Sequence, residues 1–308
     1  MSKIKNGIFY LEYLLFRFLS LIVNLIPIRL NYRINLFLAP LIFPLLGKRK
    51  QTAIDNLKRV FGHEKSDEEI KRIAVGSLAN IFHVVCEFVR TPTYIKDPFK
   101  YMDLKGWNFI EDGLKQRKGV ILLAHHYENW EVDALAPHSM NCVLHVIARP
   151  LKNVYVYNYI KKLRECYSLK VIDKKGAVRS AMKLLKQNQI VVFLIDQHER
   201  ETGIWIDFMG IPACTSSMPA WLALNTGAPV LPIFFMRNIE GKFTVQFEEH
   251  FQMIKTGDGE NDVRANTELL LKPLEKHIKE KPESWLWMHR RWRKPPVENE
   301  VNLNASRA

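Results

Sequence analysis

The sequence predicts an α/β fold, with a mainly parallel central sheet flanked by helices and an N-terminal membrane-associated helical segment. Three observations carry this. Short apolar runs at Val120 to Ala124, Val143 to Ala148, Val191 to Ile195 and Val230 to Phe235 alternate with helix-length segments at Asn153 to Cys166, Ala177 to Lys186 and Pro219 to Asn225. Buried strands separated by helices build a parallel sheet covered on both faces. The first 46 residues hold two long apolar stretches. Hydrophobic residues make up 47% and charged residues 25%, a globular balance that excludes a disordered, collagen-like or wholly membrane-embedded chain.

From the start of the chain, Ile8 to Ile26 approaches the length of a bilayer span but is interrupted by Glu12, Arg17 and Asn24, which argues against a clean crossing. A second stretch, Ile34 to Leu46, is broken by Pro40 and Pro44 and followed by Lys48, Arg49 and Lys50, a pattern suited to lying shallowly on anionic lipid. No small-residue cleavage site follows the first stretch, so it is not read as a removable signal. Basic residues at both ends favour the cytoplasmic side for the rest of the chain. Residues 1–47 are therefore expected to form an anchor, 48–294 the α/β domain and 295–308 a tail. Ser66 followed by Glu69 is a capping box, and it opens a helix with apolar residues at helical spacing until Thr91 and Pro92 stop it. The four cysteines lie far apart without a CxxC pair and read as core thiols in a reducing compartment. The formal charge of +13 favours anionic partners without choosing among them.

In open parallel sheets, chemistry gathers beyond the carboxyl ends of the strands. Polar residues follow three of the four runs: His125 and His126, then Arg149, then Asp196 and Gln197. The first of these opens the string HHYENWE, in which Glu131 stands five residues after His126. An imidazole held by a carboxylate can take a proton from a hydroxyl near neutral pH. His125 points to the opposite face if the strand persists, and is read as structural. No histidine set has metal-ligand spacing.

HYENWE resembles the His-x4-Asp/Glu box of the lysophospholipid acyltransferase superfamily, and specifically its lipid A late acyltransferase branch, which typically carries HFGNWE. Further segments resembling that branch follow in order: DNLKRVFG, RPLKN, Arg164 in LRECYSL, the Asp196–Gln197 pair, WIDFMGIPACTS, PVLPIFFMR and PESWLWMHRRWR. Tyr127 and Glu128 depart from the usual Phe-Gly, and His198 replaces an acidic residue. The resemblance implies an O-acyltransferase that moves a fatty acyl group from an acyl carrier protein thioester to a hydroxyl of a lipid A precursor at the bacterial inner membrane. A phosphatidylinositol mannoside or another glycolipid is the alternative acceptor. On these positions it implies His126 as general base, Glu131 as the group orienting it, and Arg164 as the stabiliser of negative charge, with Arg149 second for that role. Asn129, Arg149, Asp196 and Gln197 are the expected substrate-binding residues. The implied partners are the carrier protein, the lipid A precursor and an anionic membrane. Neither metal nor redox cofactor is implied, and a direct attack needs no covalent acyl-enzyme. Lys152, Lys161, Lys162, Arg290, Arg291 and Arg293 are expected to face the acidic carrier or the lipid phosphates. Trp205 and Phe208 are weighed as channel lining or core. A nucleic-acid binder has no recognisable module here.

Overall fold

Pro27 has no N–H to donate and stands as the N-cap between two apolar helices, α1 (Lys3–Leu25) and α2 (Ile28–Ile42). α2 carries Pro40 inside it and runs into a 3-10 turn, Phe43–Leu46, after which α3 (Lys48–Phe61) leaves at 101°. The capping box at Ser66 and Glu69 is formed and starts α4 (Asp67–Phe88). The computed structural model describes residues 3–132, 134–148, 151–173, 176–238 and 242–293. The expected tail, 295–308, and Arg149 lie outside the described residues.

The remaining chain alternates strands and helices as the apolar runs require. Strands β1 (Met102–Lys105), β2 (Val120–Ala124), β3 (Leu144–Ala148), β4 (Leu169–Asp173), β5 (Ile190–Leu194), β8 (Val230–Arg237) and β9 (Phe243–Phe247) form one sheet in the order β1-β9-β8-β2-β5-β3-β4. Every pairing is parallel except β8 with β9. β6 (Gly203–Phe208) and β7 (Ile211–Ser216) make a separate antiparallel hairpin, turned by Met209 and Gly210 at positive φ. The main connecting helices are α5 (Trp107–Lys115), α6 (Val154–Glu165), α7 (Ala177–Lys186), α8 (Met218–Thr226), α9 (Gly259–Leu269) and α10 (Lys272–Glu280). β2 is buried at all five positions, as expected of a strand covered on both faces.

Strand alternation divides the core in two. Ile121, Leu123, Val191 and Phe193 join α2, α3, α4 and the C-terminal tryptophans on one face. Leu122, Ala124, Val192 and Ile233 join Leu135 and Leu163 on the other. The described part of the C-terminal segment packs into the core without forming an α-helix. Past the short turn Pro282–Ser284 it is irregular, and Trp285, Trp287 and Trp292 are buried against Phe208. Asn56 on α3 fixes this segment by donating to the carbonyls of Trp287 and His289. Of the cysteines, Cys86 and Cys214 are buried as expected, while Cys166 is exposed.

Candidate active site

Parallel pairing aligns Ala124 of β2 with Leu194 of β5. The chain leaves both strands at the same level, so the second residue past each end, His126 and Asp196, come side by side at the ~4.8 Å strand spacing. Asp196 Oδ1 accepts from His126 Nδ1 at 2.8 Å, and Oδ2 accepts from the His126 backbone N–H at 2.9 Å. Trp285 Nε1 donates to Oδ2 at 2.9 Å from the far side. Burial alone would raise the Asp196 carboxyl; the His126 charge and hydrogen bond, aided by His125 and Trp285, outweigh it and hold it well below the usual carboxylate range. Gln197 Nε2 stands 3.0 Å from His126 Nε2. Since a carboxylate accepts and an amide nitrogen donates, both contacts select one tautomer: proton on Nδ1, lone pair on Nε2.

The orienting carboxylate expected at Glu131 therefore stands at Asp196. Glu131 instead accepts both Nε and Nη2 of Arg164, at 2.9 and 2.7 Å, and its backbone carbonyl accepts from the Tyr167 hydroxyl. Burial would lower the Arg164 guanidinium, but pairing with Glu131 prevails and raises it, so it stays charged. Asp196, expected to touch substrate, is only 1% exposed and is saturated by His126 and Trp285. Asn129 is likewise no surface for substrate. It is fully buried, its Oδ1 accepts the Glu131 N–H as a turn former, and its Nδ2 donates to Glu87 at 2.6 Å. Gln197 does face the site.

His126, Gln197, Glu131 and Arg164 line a cavity of about 350 Å³, within the ordinary size range of ligand sites. From these polar groups it runs along the sheet, walled by Leu122, Ala124, Val146, Val192, Leu194 and Ile233. Leu122 and Ala124 share parity with His126 and face the same side; His125 has the other parity. His125 stacks on Phe234 with centroids 5.1 Å apart, and neither ring nitrogen has a hydrogen-bond partner among the described residues. Phe208 packs in the core rather than lining this cavity.

Two supports of the site have no local sequence signal. Arg291, expected to face a partner, is buried and donates to the carbonyls of Gln197 and Cys214 and to the Thr215 hydroxyl. It holds the loop that carries Gln197. Burial pulls its guanidinium down to about 10, still charged at neutral pH. On the other flank Arg237 lies between Glu87 and Glu128, and Lys281 and Ser284 also bond Glu128. Glu128 has φ of 49° where the resembling box carries glycine. The left-handed backbone costs a non-glycine residue about 1 kcal/mol, which the charge-assisted bonds to Glu128 offset.

Burial also sets an acid sensitivity. It pulls His125 and His289 down to about 4 and His83 to about 3. An unfolded imidazole titrates near ~6.5, so below that pH the unfolded chain takes up protons that the folded one refuses. Their stabilisation is complete above ~6.5 and is lost as pH falls towards the folded values. Each contributes a slope of at most about 1.4 kcal/mol per pH unit in that window. The urea midpoint is expected to drop between pH 7 and pH 4.5, and less steeply in His125→Phe; parallel curves would show that His125 does not contribute.

With this geometry in view, residues 3–294 match the family model described as bacterial lipid A biosynthesis acyltransferase. The chain belongs to this family. Curated relatives in both branches of glycolipid acylation are similar to it. The lipid A biosynthesis lauroyltransferase of Escherichia coli (strain K12) is 21% identical over 295 residues, 94% of this chain and 93% of the relative. The lipid A biosynthesis palmitoleoyltransferase of the same organism is 23% identical, covering 82% of each. The phosphatidylinositol mannoside acyltransferase of Mycobacterium tuberculosis (strain CDC 1551 / Oshkosh) is 25% identical over 192 residues, 61% of this chain and 58% of the relative. The match thus spans a little over half of that mycobacterial relative. As a lipid A biosynthesis acyltransferase family member, the chain keeps the His-x4-Glu box but divides its labour, with Asp196 on the histidine and Glu131 on the arginine.

Proposed function

We propose that the protein transfers a fatty acyl chain from an acyl carrier protein thioester to a hydroxyl of a lipid A precursor, at the cytoplasmic face of the bacterial inner membrane. The observation that carries this reading is the apolar cavity beginning at His126, with the imidazole held in the Nδ1–H tautomer by Asp196. The acceptor hydroxyl displaces the Gln197 amide and gives its proton to Nε2. Its oxygen bonds to the thioester carbonyl carbon, and the carbonyl electrons move onto oxygen. Collapse of that oxyanion breaks the C–S bond, and the carrier thiolate takes the proton back from Nε2.

Asp196 stabilises the imidazolium that forms in between. Arg164 lines the cavity and is positioned by Glu131 to offset the oxyanion, where a fixed guanidinium in a poorly solvated site is effective. The cavity's walls take the acyl chain. Similarity to a phosphatidylinositol mannoside acyltransferase favours a second reading for the acceptor alone.

The test is transfer of labelled acyl groups by detergent-purified protein. Carrier-protein and coenzyme A thioesters serve as donors, and a lipid A precursor and a mannosylated phosphatidylinositol as acceptors. One acyl chain gained by the precursor from the carrier thioester is the expected result. Acylation of the mannosylated lipid only would overturn the acceptor, and no transfer to either would overturn the reaction.

A further inference from the structure

α1 is long and apolar enough to cross a bilayer, yet one side of it is held against the protein along its length, so lipid could not surround it. Asn153, at the start of α6, donates to the Phe9 carbonyl and to Glu12 Oε2, both at 2.8 Å. Tyr13 and Phe16 pack on Tyr159 of α6, and the Arg17 guanidinium lies 4.6 Å from the centre of that ring. At the far end of α1, Asn24 donates to the Val89 carbonyl, and Arg90 donates to the carbonyls of Val23 and Ile26. The polar residues that interrupt the apolar stretch thus have partners within the protein. These contacts extend from Phe9 to Ile26, about 25 Å of helix at 1.5 Å per residue, against a hydrocarbon core of about 30 Å. A crossing α1 would drag α6, with Lys161 and Lys162, into hydrocarbon at a cost of several kcal/mol.

The opposite face is bare. Leu11, Leu15, Phe18 and Leu25 follow helical spacing and are 66%, 59%, 60% and 76% exposed, and Phe37 of α2 and Leu45 continue the surface at 68% and 81%. An apolar surface of this extent needs a partner. The first fifty residues hold eight basic residues and one acidic one, which suits anionic phospholipid.

We propose that α1, α2 and the turn at Leu45 form a platform embedded in a single leaflet of an anionic bilayer, with α1 in the membrane plane and the chain's N-terminus on the same side as the His126 cavity. The platform rests on the membrane setting proposed above but not on the reaction, so failure of acyl transfer leaves it standing. The test uses Lys5→Cys in a background retaining Cys166 as the other thiol. A membrane-impermeant maleimide is added to inverted inner-membrane vesicles and to intact spheroplasts. Both positions are expected to label in the inverted vesicles and neither in spheroplasts. Labelling of Lys5→Cys only from the side opposite Cys166 means that α1 crosses, and overturns the platform. Protease removal of an N-terminal epitope tag on the otherwise unaltered chain gives the same sidedness without cysteine replacement. Flotation with vesicles of phosphatidylethanolamine and phosphatidylglycerol is the accompanying arm. A protein that stays unbound as a dimer would show that a second copy, rather than lipid, covers this face, and would equally overturn the platform.

Discussion

Replacing His126 with alanine is expected to lower acyl transfer by ~100-fold or more, the loss that accompanies removal of a general base. The side chain is 17% exposed, and its ring lies against Trp130 and the cavity rather than deep in the core, so the fold should tolerate the change. An acceptor hydroxyl is a poor nucleophile at neutral pH until its proton has a destination, and Nε2 is the basic atom that the structure aims into the cavity. The apolar walls proposed to take the acyl chain are formed by other residues. The loss should therefore fall on kcat more than on KM for the donor. A variant of near-normal rate would make His126 a structural residue and require another base.

Asp196→Asn is expected to reduce transfer by a factor on the order of 10²–10⁴, with little change in folding. The amide oxygen can keep the two donors that now meet Oδ2, the His126 N–H and Trp285 Nε1. The amide nitrogen then replaces Oδ1 and presents a donor to His126 Nδ1. Nδ1 must accept, the proton moves to Nε2, and the base is lost although every atom stays close to its place. Glu131→Gln leaves the Asp196 contact intact and should cost less, through a weaker hold on Arg164. Equal losses in the two variants would mean that the two carboxylates do not divide the work as the hydrogen bonds indicate.

How much of this was legible in the sequence follows from the range of each interaction. Val120–Ala124 and Ala177–Lys186 coincide with β2 and α7 because continuous apolar runs and helical periodicity are local signals. The β6–β7 hairpin was missed: its turn uses Met209 in the left-handed region, where Asn or Gly is the recognisable residue. β1 and β9 are short flanking strands, and residues 102–105 meet 243–246 across a separation that no local pattern reports. At the site, the polar residues beyond the strand ends were visible. Their pairing was not, since choosing Asp196 over Glu131 requires knowing that β2 and β5 are neighbours in matched register. Offsets counted from the apolar runs do not offer that choice, since the second run extends to Ile195 while the register pairs Ala124 with Leu194. The roles of Arg291 and Arg237 were hidden altogether. A basic residue reads as a surface charge until carbonyls or carboxylates from distant segments are seen to surround it, as Gln197 and Cys214 surround Arg291.

The central claim is that Asp196 keeps His126 with a bare Nε2 facing the cavity. Its most direct test is the ¹⁵N chemical-shift pattern of the histidine rings in selectively labelled protein at neutral pH, with His126 assigned by the signal lost in His126→Ala. A protonated Nδ1 and an unprotonated Nε2 are predicted. A proton on Nε2 with Nδ1 bare would contradict the account, because no base would then face the acceptor.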